Sequence, residues 1–279
     1  MKTLKLICLP LFALLTFQSC DEVEAPYKEE IIVVGGDRKV LVEDYTGHKC
    51  GNCPRAAKAL HDLKDVYGDR LIIMSVHAGG FATVFPPSAP YYTYDFRTPE
   101  GTELDTDFGI SAIGNPNGMV NRRQVNGNYV LSSTSWLGEI SNVLGDASPA
   151  PVKIEIENTF DATSRTLQTE INSEFVNSLG GAHKLCVFLV EDSIINWQKD
   201  YDASPEDIPD YVHRDVLRTS MNGTYGDAIA NTTAGTIDTK NYSKTLDATW
   251  NENNMKVISF VYNEVTKEII QVEEHEVIH

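Results

Sequence analysis

The spacing of apolar positions predicts a strand–helix–strand unit early in the chain. Residues 40–45 form a strand pattern rich in branched side chains. From Pro54 onward, apolar side chains recur at helical spacing until Gly68 ends the run. Residues 71–76 are continuously apolar, which is typical of a strand buried on both faces. The pattern therefore predicts a βαβ unit.

A long insertion follows this unit over residues 79–107. It contains glycine and proline pairs and six aromatic side chains, and we expect part of it to be helical. A strand is predicted next at residues 119–122, and Val125-Asn-Gly127 can turn the chain back. Helical spacing returns over residues 134–144.

The character of the chain changes after residue 148. Apolar and polar residues alternate in short runs separated by Gly, Asn and Asp. Strands are predicted at 152–156, 167–175, 185–190, 212–217, 245–250, 257–262 and 269–277. Such spacing favours an antiparallel β-sandwich. We therefore predict an α/β domain over residues 37–148, followed by an all-β, sandwich-like domain over residues 149–279.

The first residues are typical of an export signal. Two lysines precede a short apolar run, which is too short to span a bilayer. The run ends at Ser19-Cys20 and resembles a lipobox, in which the signal is cut before a cysteine that receives lipid. We predict a signal peptide over residues 1–19, lipidation at Cys20 and a tether over residues 20–36, with a short strand at 31–34.

The charge of the chain restricts its partners. The net charge is −17, and removal of the signal with its two lysines leaves −19. This charge argues against nucleic acid and against adsorption to anionic lipid. The membrane contact that we expect is therefore the lipid on Cys20. The acidic residues 21–24 resemble the export tag of surface lipoproteins in Bacteroidetes.

Candidate chemistry lies in the segment Cys50-Gly-Asn-Cys53, at the start of the predicted helix. A disulfide across so few residues stabilises a fold by only about 2 kcal/mol, so stability is a poor reason to have one. A helix N-terminus stabilises a thiolate. We expect Cys50 to attack and Cys53 to resolve the mixed disulfide. Cys186, in an apolar run, is predicted to be a buried, inert thiol.

The segment from Val40 to Pro54 resembles the active-site segment of the thioredoxin superfamily. The resemblance implies a thioredoxin-like fold for residues 37–148. It also implies a buried acid six residues before the first cysteine, a position held by Asp44, with Glu43 as the alternative. Residues 109–116 resemble the segment that ends in the superfamily's cis-proline. Pro116 would then be cis, and the backbone of Asn115 would pair with an incoming peptide.

A second resemblance extends over nearly the whole mature chain. The segments 43–54, 115–122 and 213–218 resemble the Bacteroidetes family of twenty-eight-kilodalton outer-membrane-protein-related lipoproteins. That family implies a lipid-anchored protein at the outer membrane, facing either the periplasm or the cell surface. It also implies a thioredoxin-like domain followed by a β-rich domain.

Three functional hypotheses follow. The first is a thiol–disulfide oxidoreductase or isomerase that acts on exported protein thiols or disulfides without a cofactor. The second is a surface binding or adhesion protein with a permanent disulfide, in which the aromatic insertion, including Tyr91 and Tyr92, supplies the binding face. The third, least supported by spacing, is metal capture by His48, the cysteines and His77. We predict no resident metal.

Overall fold

The computed structural model describes residues 36–278. The predicted signal peptide, Cys20 and the strand at 31–34 lie outside the described residues, as does all of the predicted tether except its last residue. Within the described range the chain forms a mixed α/β structure that is largely β, with several sheets.

The predicted βαβ unit is confirmed. Strands β1 (Val40–Thr46) and β2 (Leu71–His77) pair in parallel, and every residue of both is buried. Helix α1 (Cys53–Tyr67) joins them, with Pro54 in its first turn, where a missing N–H costs nothing. Gly68 ends the helix with a φ of 57°, a conformation that glycine adopts without steric cost.

The remaining elements before residue 148 also follow the predicted order. Part of the insertion is helical, and the Thr98 side chain caps that helix by accepting from the Gly101 N–H at 3.0 Å. The strand predicted at residues 119–122 occupies residues 117–120, and after the predicted turn at residues 125–127 the chain forms a strand only at residues 131–132. The elements are α2 (Pro99–Phe108), α3 (Ile110–Ile113), β3 (Asn117–Val120), β4 (Leu131–Ser132) and α4 (Trp136–Leu144).

The second half of the chain consists of strands and turns. They are β5 (Val152–Asp161), β6 (Thr166–Phe175), β7 (His183–Glu191), β8 (Ile194–Lys199), β9 (Asp207–His213), β10 (Val216–Ser220), β11 (Asp227–Ala228), β12 (Ile237–Thr245), β13 (Met255–Asn263) and β14 (Ile269–Glu276).

Two strand predictions in this half are wrong. The predicted strand 212–217 is interrupted, because Asp215 has a φ of 49°, which extended backbone does not adopt. The predicted strand 245–250 is a turn, in which the Trp250 N–H donates to the Asp247 carbonyl at 3.1 Å. Four strands were missed: β8, most of β9, the two-residue β11, and β12, which has no buried residue.

One large sheet runs through both halves of the chain. Among the described residues it has nine strands, and its main path is β14-β13-β7-β10-β2-β1-β3-β4. Strand β10 pairs in parallel with β2, so strands from both sides of residue 148 share this sheet. A three-stranded sheet, β12-β6-β5, packs its apolar side chains against β7 and β13. The division into two domains stays a prediction.

Strands β8 and β9 form a separate hairpin of their own. This hairpin leaves the large sheet after β7 and returns to it at β10. Its turn residues hydrogen-bond to the loop that follows β1, which is the loop that holds Cys50 and Cys53. The fold therefore brings the second half of the chain against the predicted reactive site. We call residues 194–213 the covering hairpin.

Candidate functional site

Cys50 and Cys53 form a disulfide at the beginning of α1. Their Cα atoms are 5.4 Å apart, and each residue is 2% exposed. The loop before them is tight, because the Cys50 N–H donates to the Gly47 carbonyl at 2.9 Å. The Cys53 N–H in turn donates to the Cys50 carbonyl at 3.2 Å. The helix therefore starts at the second cysteine, as the spacing predicted.

The covering hairpin holds this loop by backbone hydrogen bonds. The Lys199 N–H donates to the His48 carbonyl at 2.8 Å, and the Tyr201 N–H donates to the Gly51 carbonyl at 2.9 Å. These contacts satisfy carbonyl groups that the loop itself leaves open. The outer side of the cysteine loop is therefore covered by main chain from residues far along the sequence.

Two side chains complete this cover. The buried Gln198 amide donates from Nε2 to the Cys50 carbonyl at 3.1 Å and to the Gly47 carbonyl at 3.4 Å. The Tyr201 ring packs on Gly51, where an added Cβ would lie 2.5 Å from the ring. Glycine at that position is thus required by the close approach of the hairpin.

A cavity of about 490 Å³ lies beside the disulfide, between the βαβ unit and the covering hairpin, which lines part of it with Gln198 and His213. Its deep wall includes the buried residues Asp44, Cys53 and His77. Cys50 is not among the described residues that line it. The rim consists of exposed, mostly charged side chains, so the cavity opens to solvent there. Those rim residues are Arg55, Lys58, Asp202, Val212 and Arg214.

Asp44 and Glu43 have opposite surroundings although they are adjacent. The Asp44 carboxyl is 1% exposed, its Oδ1 has no hydrogen-bond partner, and burial raises its pKa to about 7. The Glu43 carboxylate accepts two hydrogen bonds from Arg122, at 2.7 and 2.8 Å. Strand geometry sends successive side chains to opposite faces. Of these two acids, therefore, only Asp44 faces the cavity with Cys53, and Glu43 points into the core, where it pairs with Arg122.

Two histidines that line the cavity belong to an aromatic cluster. The rings of His77 and His213 each lie 4.5 Å from the ring of Phe96 and 5.4 Å from one another. Burial lowers the pKa of His213 to about 4. Burial, with His213 beside it, holds the pKa of His77 well below its ordinary value. Both rings are therefore neutral at pH 7, and His77 Nδ1 has no hydrogen-bond partner.

The predicted binding tyrosines lie between the insertion and the covering hairpin. Tyr92 is buried, its ring stacks 5.2 Å from His48, and its hydroxyl donates to Asp207 of β9. Tyr91 is partly exposed, with its ring 5.5 Å from Trp197 of β8. Both tyrosines thus hold the insertion to the hairpin. Their role in binding stays a prediction.

The Asn115–Pro116 peptide bond is cis, as predicted. Strand β3 begins immediately afterwards, and its Asn117 pairs with Tyr45 of β1. The cis-proline therefore precedes β3 at the carboxyl end of β1, the end from which the cysteine loop leaves. Neither Asn115 nor Pro116 is among the described residues that line the cavity. Their roles in peptide binding stay predictions.

The structure adds residues that the sequence analysis missed. Gln198 and Tyr201 contact the cysteine loop, but they lie in or directly after β8, which the pattern failed to predict. His213 lines the cavity; the pattern placed it in the strand predicted at 212–217 but gave it no role. Strand β8 carries an alternation too short and too polar to distinguish from a loop. Cys186, by contrast, is the buried free thiol that was predicted, and burial raises its pKa to about 12.

The metal hypothesis gains no support from the geometry. In residues 36–278 no group of three or more His, Cys, Asp or Glu side chains is arranged to hold a metal ion. Both sulfurs of the proposed ligand set are joined to each other.

The helices within residues 36–278 were also compared with membrane-spanning segments. None of them has the length and hydrophobicity that such a segment requires.

Comparison with known families decides where the chain belongs. The family model described as Outer membrane protein Omp28 matches residues 103–278. The chain belongs to the Omp28 family. This membership confirms the predicted location at the outer membrane. The matched range starts after the cysteine loop, so it carries no information about dithiol chemistry in this Omp28 family member.

Solved structures support the fold of this family member. HBP35 of Porphyromonas gingivalis is similar at 19% identity and a TM-score of 0.66, over 87% of this chain and 76% of that chain. A structural-genomics protein from Agrobacterium tumefaciens is similar at 14% identity and a TM-score of 0.52, over 86% and 95%. At these identities the likeness shows the fold alone. A search of curated proteins finds no match.

Proposed function

We propose that this outer membrane protein carries a thioredoxin-like domain over residues 37–148 and performs thiol–disulfide exchange at Cys50 and Cys53. The observation that carries the proposal is that Cys53 and the buried acid Asp44 line one cavity. A carboxyl group with a pKa of about 7 is able both to give and to accept a proton near neutral pH. Such a group suits a reaction that interconverts thiols and thiolates.

Further features support this assignment. The disulfide lies at the start of a long helix, where the exposed N–H groups stabilise a thiolate. The cis-proline precedes the strand that pairs with β1. We assign Asp44 to proton transfer, Pro116 and the backbone of Asn115 to peptide contact, and lipidated Cys20 to membrane attachment. Exported proteins are the proposed partners, and they require the covering hairpin to move.

Titration of the cysteine couple in defined redox buffers tests the proposal. The full chain with Cys8→Ser and Cys20→Ser keeps Cys50, Cys53 and the buried Cys186, which serves as an internal control for unfolding. We expect a reversible two-electron transition of the pair and catalysis of insulin reduction or of scrambled-protein repair. The variant with Cys50→Ser and Cys53→Ser should show neither. A wild-type pair that never turns over would contradict the proposal.

A second candidate is a binding protein in which the disulfide is permanent. The observation that favours it is the cover itself, since the disulfide is only 2% exposed and its loop is hydrogen-bonded to the hairpin. The apolar residues Phe81, Phe85 and Ile195 remain exposed beside it and would form part of a contact surface. In this case, loss of both cysteines should leave ligand binding intact, whereas Phe81→Ala and Phe85→Ala should weaken it.

A further inference from the structure

The two cysteines of the disulfide are each 2% exposed, but they differ in their surroundings. Cys50 lies under the covering hairpin, with its carbonyl bound by Gln198 and its neighbour Gly51 under the Tyr201 ring. Cys53 lines a cavity that opens to solvent. The sequence alone predicts the reverse order, with Cys50 as the sulfur nearer to solvent. The contacts of the hairpin with Cys50 therefore distinguish the two cysteines.

The cavity has the properties of a small-molecule site. Its volume of about 490 Å³ falls within the range of ligand pockets in proteins, which is roughly 300–1,000 Å³. Two of its lining side chains, Asp44 and His77, are at least 97% buried and each has a polar atom without a partner. Buried polar atoms without partners are rare in proteins, so these two favour a polar occupant.

The rim of the cavity carries charges of both signs. Arg55, Lys58 and Arg214 supply positive charge and Asp202 supplies negative charge, with Arg55 and Asp202 joined in an ion pair. A free amino acid or a short peptide also carries both signs. A folded protein, by contrast, would have to pass the covering hairpin before it could contact either sulfur.

We propose that, with the hairpin closed, the disulfide exchanges with amino-acid and short-peptide thiols and disulfides, and that Cys53 is the sulfur they reach. This inference rests on the proposed exchange function and specifies its substrate class. It predicts that small thiols and disulfides react faster than large ones, because the closed hairpin keeps large molecules away from the disulfide. Movement of the hairpin would then admit protein substrates to the same pair.

The reaction balances with two thiols. A substrate thiolate attacks the Cys53 sulfur, a new S–S bond forms, and the bond to Cys50 breaks. Cys50 leaves as a thiolate at the N-terminal end of α1, where positive electrostatic potential favours it. A second thiolate attacks the substrate sulfur of the mixed disulfide and expels Cys53, which takes up a proton. The protein disulfide is reduced, and two substrate thiols are oxidised to one disulfide.

Single-cysteine variants locate the reactive sulfur. In the full chain with Cys8→Ser and Cys20→Ser, Cys50→Ser leaves Cys53 free and Cys53→Ser leaves Cys50 free. Each reduced variant is treated with cystine, and the mixed disulfide is followed by mass spectrometry. We expect Cys53 to react at least tenfold faster than Cys50. Equal rates, or faster reaction of Cys50, would overturn the assignment.

Reagent size tests the role of the hairpin. A maleimide on a five-kilodalton polyethylene glycol should label Cys53 at least tenfold more slowly than N-ethylmaleimide does. Gln198→Ala and Gly51→Ala loosen the hairpin, by loss of the amide contacts and by displacement of the Tyr201 ring, and should remove most of this difference. Val265→Ala, in the exposed turn after β13, is the control and should preserve it.

The outcomes separate this inference from the broader proposal. If the oxidised wild-type chain is reduced by cysteine and by a reduced, unfolded protein at similar rates, the size limit is wrong but exchange stands. If only the hairpin variants react, the cavity route is wrong and exchange again stands. If neither the wild type nor any hairpin variant is reduced by either thiol, the exchange function itself is excluded.

Discussion

The two faces of strand β1 bury neighbouring acids in opposite ways. On one face Glu43 forms an ion pair with Arg122, and the two side chains are 1% and 0% exposed. On the other face Asp44 has an unpartnered oxygen and lines a cavity with Cys53. The paired acid accepts two hydrogen bonds from a buried guanidinium within the core, whereas burial raises the pKa of the unpaired acid to about 7. A single strand therefore separates a structural carboxylate from one suited to chemistry.

The largest expected effect comes from breaking the structural pair. Glu43→Ala leaves the Arg122 guanidinium buried without its counterion, and we expect a loss of about 3–5 kcal/mol in the free energy of unfolding. Denaturant titration measures it. The double variant with Glu43→Leu and Arg122→Met is the matched control and should recover most of the loss. Equal losses in the single and double variants would show that the pair itself is not responsible.

The next effect concerns the unpaired acid. The pKa of Asp44 rises from 3.8 in the unfolded chain to about 7 in the folded one. Below about pH 4 the burial of this group does not lower the free energy of unfolding. As the pH rises to about 7 the loss of unfolding free energy grows, and it reaches at most about 4 kcal/mol. Compared with the wild type, Asp44→Asn should gain unfolding free energy between pH 4 and pH 8. A constant difference across this range would show that Asp44 is not buried as an acid.

The histidine cluster should respond to pH in the opposite direction. The pKa of His213 falls from 6.5 to about 4 on folding, so the unfolded chain binds more protons between these values. Its contribution to stability is complete above about pH 6.5 and falls as the pH drops toward 4, by at most about 3 kcal/mol. Unfolding of wild type and His213→Gln at pH 7 and pH 4.5 measures this loss, which the variant should lack.

The smallest of these effects is expected from reduction of the disulfide. Reduction of the Cys50–Cys53 bond opens a loop of few residues and should lower the free energy of unfolding by only about 2 kcal/mol. Unfolding of the wild type with and without reductant measures it, and the variant with both cysteines replaced by serine is the control. A loss as large as that of Glu43→Ala would favour the permanent, structural disulfide over the reactive one.

Much of the site was predictable from local pattern. The apolar runs of β1 and β2 and the spacing of α1 placed the cysteines at a helix start, because strand and helix periodicities are properties of neighbouring residues. The position of Asp44 and the cis bond before Pro116 followed from resemblance to a known segment. The sequence did not decide between Asp44 and Glu43. That decision depends on Arg122, 79 residues away from Glu43, which pairs with Glu43 and shows that this face of the strand packs into the core.

The sequence alone determined the acidic charge, the βαβ unit and the place of the two cysteines within it. Tertiary structure alone decided that the covering hairpin lies over Cys50 and that Cys53 faces a cavity. The hydrogen bond from Gln198 to the Cys50 carbonyl joins residues 148 positions apart. Contacts over such separations leave no periodic signal along the chain, because they depend on which faces of distant strands the folded sheet brings together.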